Sequence, residues 1–295
     1  MTTQTVSRES ITSQFLSCYT QQPTGEEFTP EQKELLRSFA RDKPLVFLAF
    51  PLKVGGTFLR TAIAGAIQIA GNQKPVRLVR GSFMGNGDGE RDLYLPNLLG
   101  HFLSVDDGPA ILHNHTTATL SNRVVMDLFG MKPVVMKRNI LDILRSFYDA
   151  GSSKGHMKGH GSGFAEDETF FDQPLDIQKD YLVSNVAPWY VKFFASWMLA
   201  EQRGQIPAVH WTSFDEFRQD AAPVVQGILE YYQIDVTPEA ARTGVEAAKS
   251  QRKKLRFNKG TSGRGEQFFN AEQIAHVERL TQSFTSLDFR AQGLI

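Results

Sequence analysis

This 295-residue chain is poor in cysteine and shows no excess of either charge. Cys18 is the only cysteine, so no internal disulfide can form. It lies outside every motif described below, which gives it no catalytic part, and its isolation suits a reducing compartment. The 32 Lys and Arg residues balance 32 Asp and Glu. Zero formal net charge argues against general nucleic-acid binding, which needs a broad basic field. No uncharged apolar run approaches the roughly 18 residues of a membrane helix. The opening residues, MTTQTVSRESITSQ, contain no apolar signal core. A cytoplasmic protein with neither a membrane nor a nucleic-acid partner is therefore expected. No Pro/Ser-rich linker or internal repeat divides the chain, and 41% apolar residues allow a sizeable core. The expected organisation is a polar, irregular or frayed segment over 1–25 and a single domain over 26–295.

What the chain does have is concentrated between Pro44 and Ile67, PLVFLAFPLKVGGTFLRTAIAGAI. Leu45 to Phe50 is a continuous apolar run, the pattern of a parallel strand covered on both faces. Lys53, Gly55, Gly56 and Thr57 follow, and then Leu59, Ile63 and Ile67 repeat at helical spacing. Adjacent glycines let the backbone approach a ligand, and the first N–H groups of a helix have no internal partners. With a lysine beside them, such a loop suits a phosphate-like anion. It is not the common nucleotide loop GxxxxGK[ST], because Lys53 precedes the glycines. A magnesium-binding Asp at a later strand end, which an ATPase or GTPase of that class needs, is also missing. The later strand candidates, Ala110–His113 and Pro133–Lys137, end in histidine and basic residues.

A second strand, Val134-Val135-Met136, ends in Lys137 and Arg138, and the next helix carries Ser146 eight positions after Arg138. An arginine at a strand end and a serine on the following helix can converge on one anion. At the end of another strand, Ile111-Leu112, stand His113, Asn114 and His115. Alternate strand residues face the same side. The two histidines can therefore hold a proton-accepting base, a metal pair or a purely structural contact; no third metal ligand at suitable spacing is apparent. Gln251 to Arg264 holds six Lys or Arg and no acid, an anion site or a solvated basic loop.

Elsewhere, helices are expected over Pro30–Arg41, Thr119–Phe129, Ala221–Tyr232, Pro238–Lys249 and Ala271–Phe284. Ile177–Gln202 reads as one long helix or as two shorter ones broken near Pro188, and a strand is expected over Pro207–Trp211. Gly81–Arg91 reads as a glycine-rich loop and Gly151–Gly163 as a mobile connection. Strands alternating with helices imply a parallel α/β sheet with ligands at the carboxyl ends of its strands.

Taken together, these segments resemble the sulfotransferases that use 3′-phosphoadenosine 5′-phosphosulfate (PAPS), particularly the soluble cytosolic-type group. Pro51-Leu52-Lys53-Val54-Gly55-Gly56-Thr57-Phe58-Leu59 is similar to the family's 5′-phosphosulfate loop, PKSGTTWL, with one extra residue before the lysine. Arg138, Ser146, Phe147 and Tyr148 keep the spacing of its 3′-phosphate element. Lys259-Gly260-Thr261-Ser262-Gly263-Arg264-Gly265-Glu266-Gln267-Phe268-Phe269 looks like its late loop, RKGxxGDWKNxF. Asn258 stands where that loop has an arginine, for which Arg256 would compensate, and Arg264 and Gly265 replace its Asp and Trp. The strand ending His113-Asn114-His115-Thr116 is similar to the family's strand followed by KTH, which puts His115 on the catalytic histidine and His113 on a lysine near the sulfate.

The resemblance implies a three-layer, P-loop-like fold with a central parallel sheet flanked by helices. It implies PAPS as donor, no metal, and a small-molecule acceptor sulfated on a hydroxyl or on an amine or amide nitrogen. His115, Lys53 and His113 would then be catalytic. Lys53, Gly55, Gly56, Thr57, Phe58, Arg138, Ser146, Phe214, Arg256, Lys259 and Gly260 would hold the nucleotide, with Phe58 and Phe214 flanking adenine or else serving the core. Lys249 and Ser250 match an adenine contact weakly. His156, Lys158 and His160, and the acidic and aromatic stretch Phe164 to Asp172, read as a lid, an acceptor contact or solvated surface. The family's C-terminal dimer motif is not evident, and the oligomeric state stays open. So do two other readings: an ATP-dependent phosphotransferase and a nucleotide-binding protein without turnover.

Overall fold

A computed structural model describes residues 28–41, 43–71, 76–79, 92–102, 104, 108–154, 169–251 and 261–295. Five parallel strands form one sheet in the order β2-β3-β1-β4-β5. They are β1 (Leu45–Ala49), β2 (Arg77–Val79), β3 (Ala110–Asn114), β4 (Pro133–Lys137) and β5 (His210–Ser213). Helices cover the sheet on both sides, giving a three-layer α/β fold. The central strand β1 is buried along its whole length, as its unbroken apolar run requires. It pairs with β3 from Leu45↔Ala110 to Ala49↔Asn114. On its other side it meets β4 only at Phe47↔Pro133 and Leu48↔Val134.

Proline has no N–H to give a ladder, and a buried phenol serves this place in the sheet. The Tyr232 hydroxyl accepts the Phe47 amide at 2.8 Å and donates to the carbonyl of Lys132. Burial pushes the Tyr232 phenol well above its ordinary pKa, so it stays a donor at all working pH.

The helix that follows β1, α1 (Gly56–Ala70), is crossed by α2 (Pro238–Ser250) at a pair of glycines. A Cβ on Gly244 would sit 2.5 Å from the Ala62 carbonyl oxygen, so only glycine lets the two backbones meet. The helix after β4, α3 (Ile140–Lys154), and the helix before β5, α4 (Ala187–Gln202), supply more of the core. Trp197 of α4 is fully buried and packs edge-on against Phe47, with ring centroids 6.4 Å apart.

The helix over Pro30–Arg41 and the start of the Thr119–Phe129 helix are as expected; Thr119 caps the latter by accepting the Asn122 amide. Ile177–Gln202 takes the unbroken of its two readings, and two other elements differ from expectation. A helix over Leu175–Tyr181 passes through one π turn, Leu182–Val186, into α4, and Pro188 lies in the first turn of α4, where its missing N–H costs nothing. The last strand runs His210–Ser213 rather than Pro207–Trp211. The Glu201 carboxylate takes the Val209 amide and the Trp211 indole N–H, each at 2.7 Å, and holds the approach to the strand against α4. The final helix ends at Gln282, short of Phe284. The expectations for 1–25 and 81–91, and most of those for 151–168, fall outside the described residues.

Candidate active site

The chain leaves β1 toward β2 on one side, and β4 lies on the other, so the carboxyl ends of β3, β1, β4 and β5 stand in a row. A crevice at this reversal of strand order is the usual ligand position in an open α/β sheet. The residues singled out from the sequence leave these strand ends.

The loop after β1 is built from two left-handed residues, Lys53 at φ 66° and Gly55 at φ 89°. They turn the chain sharply so that α1 starts at Gly56, and no side chain caps its first turn. Gly56 has a separate reason to be glycine: a Cβ there would lie 2.5 Å from His113 Nε2. The His113 ring thus rests on the start of α1. It meets Phe50 edge-on, with centroids 5.8 Å apart, and His115 at 5.5 Å.

His115 lies just past β3 with Nδ1 2.6 Å from the Phe50 carbonyl oxygen. A carbonyl can only accept, so Nδ1 carries the hydrogen and the lone pair of the neutral ring resides on Nε2. The turn holding His115 is itself fixed. Asn114 donates to the Thr116 hydroxyl at 2.8 Å, and the Trp197 indole donates to the Thr116 carbonyl at 3.0 Å.

Arg138, at the end of β4, is buried and reaches across to β1. Its Nη1 donates to the Lys53 carbonyl at 2.6 Å and its Nη2 to the Thr261 carbonyl at 3.3 Å. The guanidinium lies over the Phe214 ring, 3.9 Å from its centroid. Nε is buried and meets no acceptor among the described residues. Burial lowers the Arg138 pKa to about 10, against the opposing pull of the Asp142 and Asp215 carboxylates; the group is still charged at neutral pH. A charged arginine bonded to the loop that leads into an uncapped helix start makes these strand ends favourable to an anion.

No family model matches the sequence, and no curated protein matches it. Solved structures do. Mouse sulfotransferase SULT7A1 complexed with PAP superposes with a TM-score of 0.52 at 17% identity, over 85% of this chain and 88% of that one. Retinol dehydratase in a complex with retinol and PAP gives 0.48 at 11% identity, over 82% and 80%. The chain has the sulfotransferase fold.

Within this fold the late loop is anchored by residues the sequence did not single out. Asp142 of α3 accepts the amides of Gly263 and Gly265, both at 2.8 Å. A Cβ on Gly265 would lie 2.3 Å from the Leu141 carbonyl carbon, so this glycine is what lets the loop lie on α3. Ser262 donates to the Asp215 carboxylate just beyond β5. Arg264 pairs with Asp149 at 2.5 Å, and Asp149 also holds Arg145 at 2.9 Å. Arg264 is thus committed to α3. Arg256, Lys259 and Gly260 lie outside the described residues, as do His156, Lys158, His160 and Phe164 to Glu168.

The structure therefore brings Lys53, Gly55, Gly56, His113, His115 and Arg138 to one group of neighbouring strand ends. Ser146 is buried on α3 in the helix that starts beside Arg138. Thr57 lies in the first turn of α1, its carbonyl accepting from Thr61 at 2.8 Å. Phe58 and Phe214 are both buried and both touch Phe217, with centroids 5.4 and 6.0 Å away. Phe217 and Phe214 also back the loop, 3.2 and 3.5 Å from where a Gly55 Cβ would stand. Lys249 and Ser250 are engaged on their own helix, with Glu246 at 2.7 Å and the Ala247 carbonyl at 2.7 Å. Among the described residues no three His, Cys, Asp or Glu side chains cluster as metal ligands, and no helix is long and apolar enough to cross a membrane.

Proposed function

We propose that this chain transfers a sulfuryl group from PAPS to a hydroxyl, or to an amine or amide nitrogen, of a small-molecule acceptor in the cytoplasm. The observation that carries the reading is the shared position of Lys53, His115 and Arg138 at the ends of three adjacent strands, with Arg138 bonded to the Lys53 backbone. The residues fit the nucleotide at both charged ends. The uncapped start of α1 and Lys53 hold the 5′ end. Arg138 and Ser146 hold the 3′-phosphate, and Phe58 and Phe214 flank the adenine. When bound, PAPS supplies the sulfuryl group and departs as adenosine 3′,5′-bisphosphate (PAP) with added negative charge.

The chain's own residues then have distinct tasks. His115 takes the acceptor's proton at Nε2, the nitrogen left free by the bond from Nδ1 to Phe50. Lys53 and the first amides of α1 stabilise the charge that grows on the departing side, already in place before it appears. His113, resting on Gly56, adds a hydrogen bond or, when protonated, a positive charge.

Calorimetry with PAP and ADP tests the reading. A charged hydrogen bond to the 3′-phosphate is worth about 1.5–3 kcal/mol, or roughly 10- to 150-fold in affinity. PAP should bind tighter than ADP by that margin, and sulfated product should form in a mass-spectrometric acceptor screen with PAPS. Equal affinity for the two nucleotides would remove the donor assignment, and tighter binding of ATP–magnesium would favour phosphoryl transfer.

A further inference from the structure

Lys53 is not glycine, yet its backbone occupies the left-handed region at φ 66°. For a residue with a Cβ this conformation is disfavoured, because Cβ crowds the following carbonyl oxygen. Something around it must hold it there. Its carbonyl oxygen receives Arg138 Nη1 at 2.6 Å, a short charge-assisted bond.

Arg138 is well placed to act as a fixed point. Its guanidinium is planar and rigid. It is clamped between two carbonyls, those of Lys53 and Thr261, and it lies on the Phe214 ring at 3.9 Å. Phe214 in turn backs Gly55, 3.5 Å from where a Cβ would stand. Arg138 thus links the Lys53 backbone to the Phe214 ring, which lies beside Gly55 two positions further along the same turn. Nε of the same guanidinium has no acceptor among the described residues. The bond to Lys53 thus uses Nη1 and leaves one buried donor of the guanidinium unspent.

We propose that Arg138 is a positioning residue for Lys53: it fixes the lysine's backbone conformation and so works on the 5′ end of the donor as well as on its 3′-phosphate. The inference rests on the donor-site reading above and extends it. One rigid plane joins the two charged ends of the nucleotide, so filling the 3′ subsite steadies the group that acts at the 5′ end.

The probe is adenosine 5′-monophosphate, which has the 5′ group and no 3′-phosphate. Its affinity is measured in wild type, Arg138→Ala, Lys53→Gly and the double variant, with melting curves to establish folding. Glycine adopts φ > 0 without penalty, so it needs no brace. Arg138→Ala should weaken the monophosphate about fivefold to tenfold when Lys53 is present, a coupling of about 1–1.4 kcal/mol. In the Lys53→Gly background the same substitution should change nothing. In a crystal of Arg138→Ala without nucleotide, Lys53 should leave the left-handed region.

Unchanged monophosphate affinity in Arg138→Ala would overturn the proposal, leaving Arg138 a contact to the 3′-phosphate alone. Equal losses in both backgrounds would overturn it too, since they would report a general loosening. So would a Lys53 φ still positive without Arg138. A wild-type chain that bound neither PAP nor the monophosphate would instead reject the donor-site reading, and the crystal of Arg138→Ala would still decide the brace.

Discussion

Asp142 takes the amide of Gly265 at 2.8 Å, and that bond ties the helix after Arg138 to the loop on the far side of the site. The Gly263 amide completes a two-donor clamp on the same buried carboxylate. Bonds of this charge-assisted kind are worth about 1.5–3 kcal/mol each, and breaking them here would also strand the buried Gly265 amide. Asp142→Ala should therefore lower the melting temperature and weaken PAP binding together. Asp142→Asn keeps one carbonyl acceptor and should lose less on both measures. An Asp142→Ala chain with wild-type PAP affinity would mean that the late loop does not take part in the site.

Acid should attack the fold at His101. It is fully buried, and its pKa is pushed down to about 4, first by burial and then by the positive charges of Arg77 and Lys43. In the unfolded chain it titrates near 6.5. Above that value both states are neutral and no stability is lost. As pH falls from about 6.5 toward 4, the unfolded state takes up a proton that the folded state refuses, so stability falls by an amount on the order of 3 kcal/mol. His101→Leu removes this difference. Its melting temperature should fall less than wild type between pH 7 and pH 4.5, in thermal scans run in matched buffers. Parallel declines would assign the acid sensitivity to other groups.

Much of the frame is legible because its signals are local. The unbroken run Leu45–Phe50 and the helical spacing from Leu59 to Ile67 mark β1 and α1 without any knowledge of partners. Lys53, His115 and Arg138 were each visible as chemistry at a strand end, and the parallel sheet aligns those ends. The anchors of the late loop were not visible, because they are long-range. Asp142 looks like an ordinary acid in the first turn of a helix; its partners are backbone amides 121 and 123 positions away. Tyr232 reads as one more helix-end aromatic until Pro133 leaves a ladder position without a donor. The edge strand β2 has three residues, half-buried, exposed and half-buried, too short for a period to emerge. The displaced start of β5 follows from Glu201, a side chain competing for backbone amides, which no apolar pattern records.

Lys53 should matter more to turnover than to product binding. In the proposed reading its charge meets negative charge that grows as PAP departs, whereas PAP would be held at several points. Lys53→Ala should cost about 10²–10³ in turnover with PAPS, the scale of losing one preorganised donor to a developing anion. Its loss in PAP affinity, read by calorimetry, should be far smaller. A variant that turned over normally would place the phosphosulfate loop elsewhere.

The two histidines after β3 make opposite predictions, although their rings are only 5.5 Å apart. His115 gives its Nδ1 hydrogen to Phe50 and keeps a lone pair on Nε2, so it can accept the acceptor's proton. His113 rests its Nε2 against Gly56 at the start of α1, and the proposed reading gives it a supporting part beside the loop. His115→Ala should lower sulfation by about 10²–10⁴ while PAPS affinity stays near wild type. The wild-type rate should also fall on acidification, because a protonated imidazole has no lone pair to offer, and the residual His115→Ala rate should lack that fall. His113→Ala should show a smaller loss, part of it in donor affinity, because the start of α1 loses the ring packed on it. Steady-state kinetics on both variants across pH separate the roles. A fully active His115→Ala enzyme beside an inactive His113→Ala enzyme would exchange them, and the proton would then have to leave through the ring that lies on Gly56.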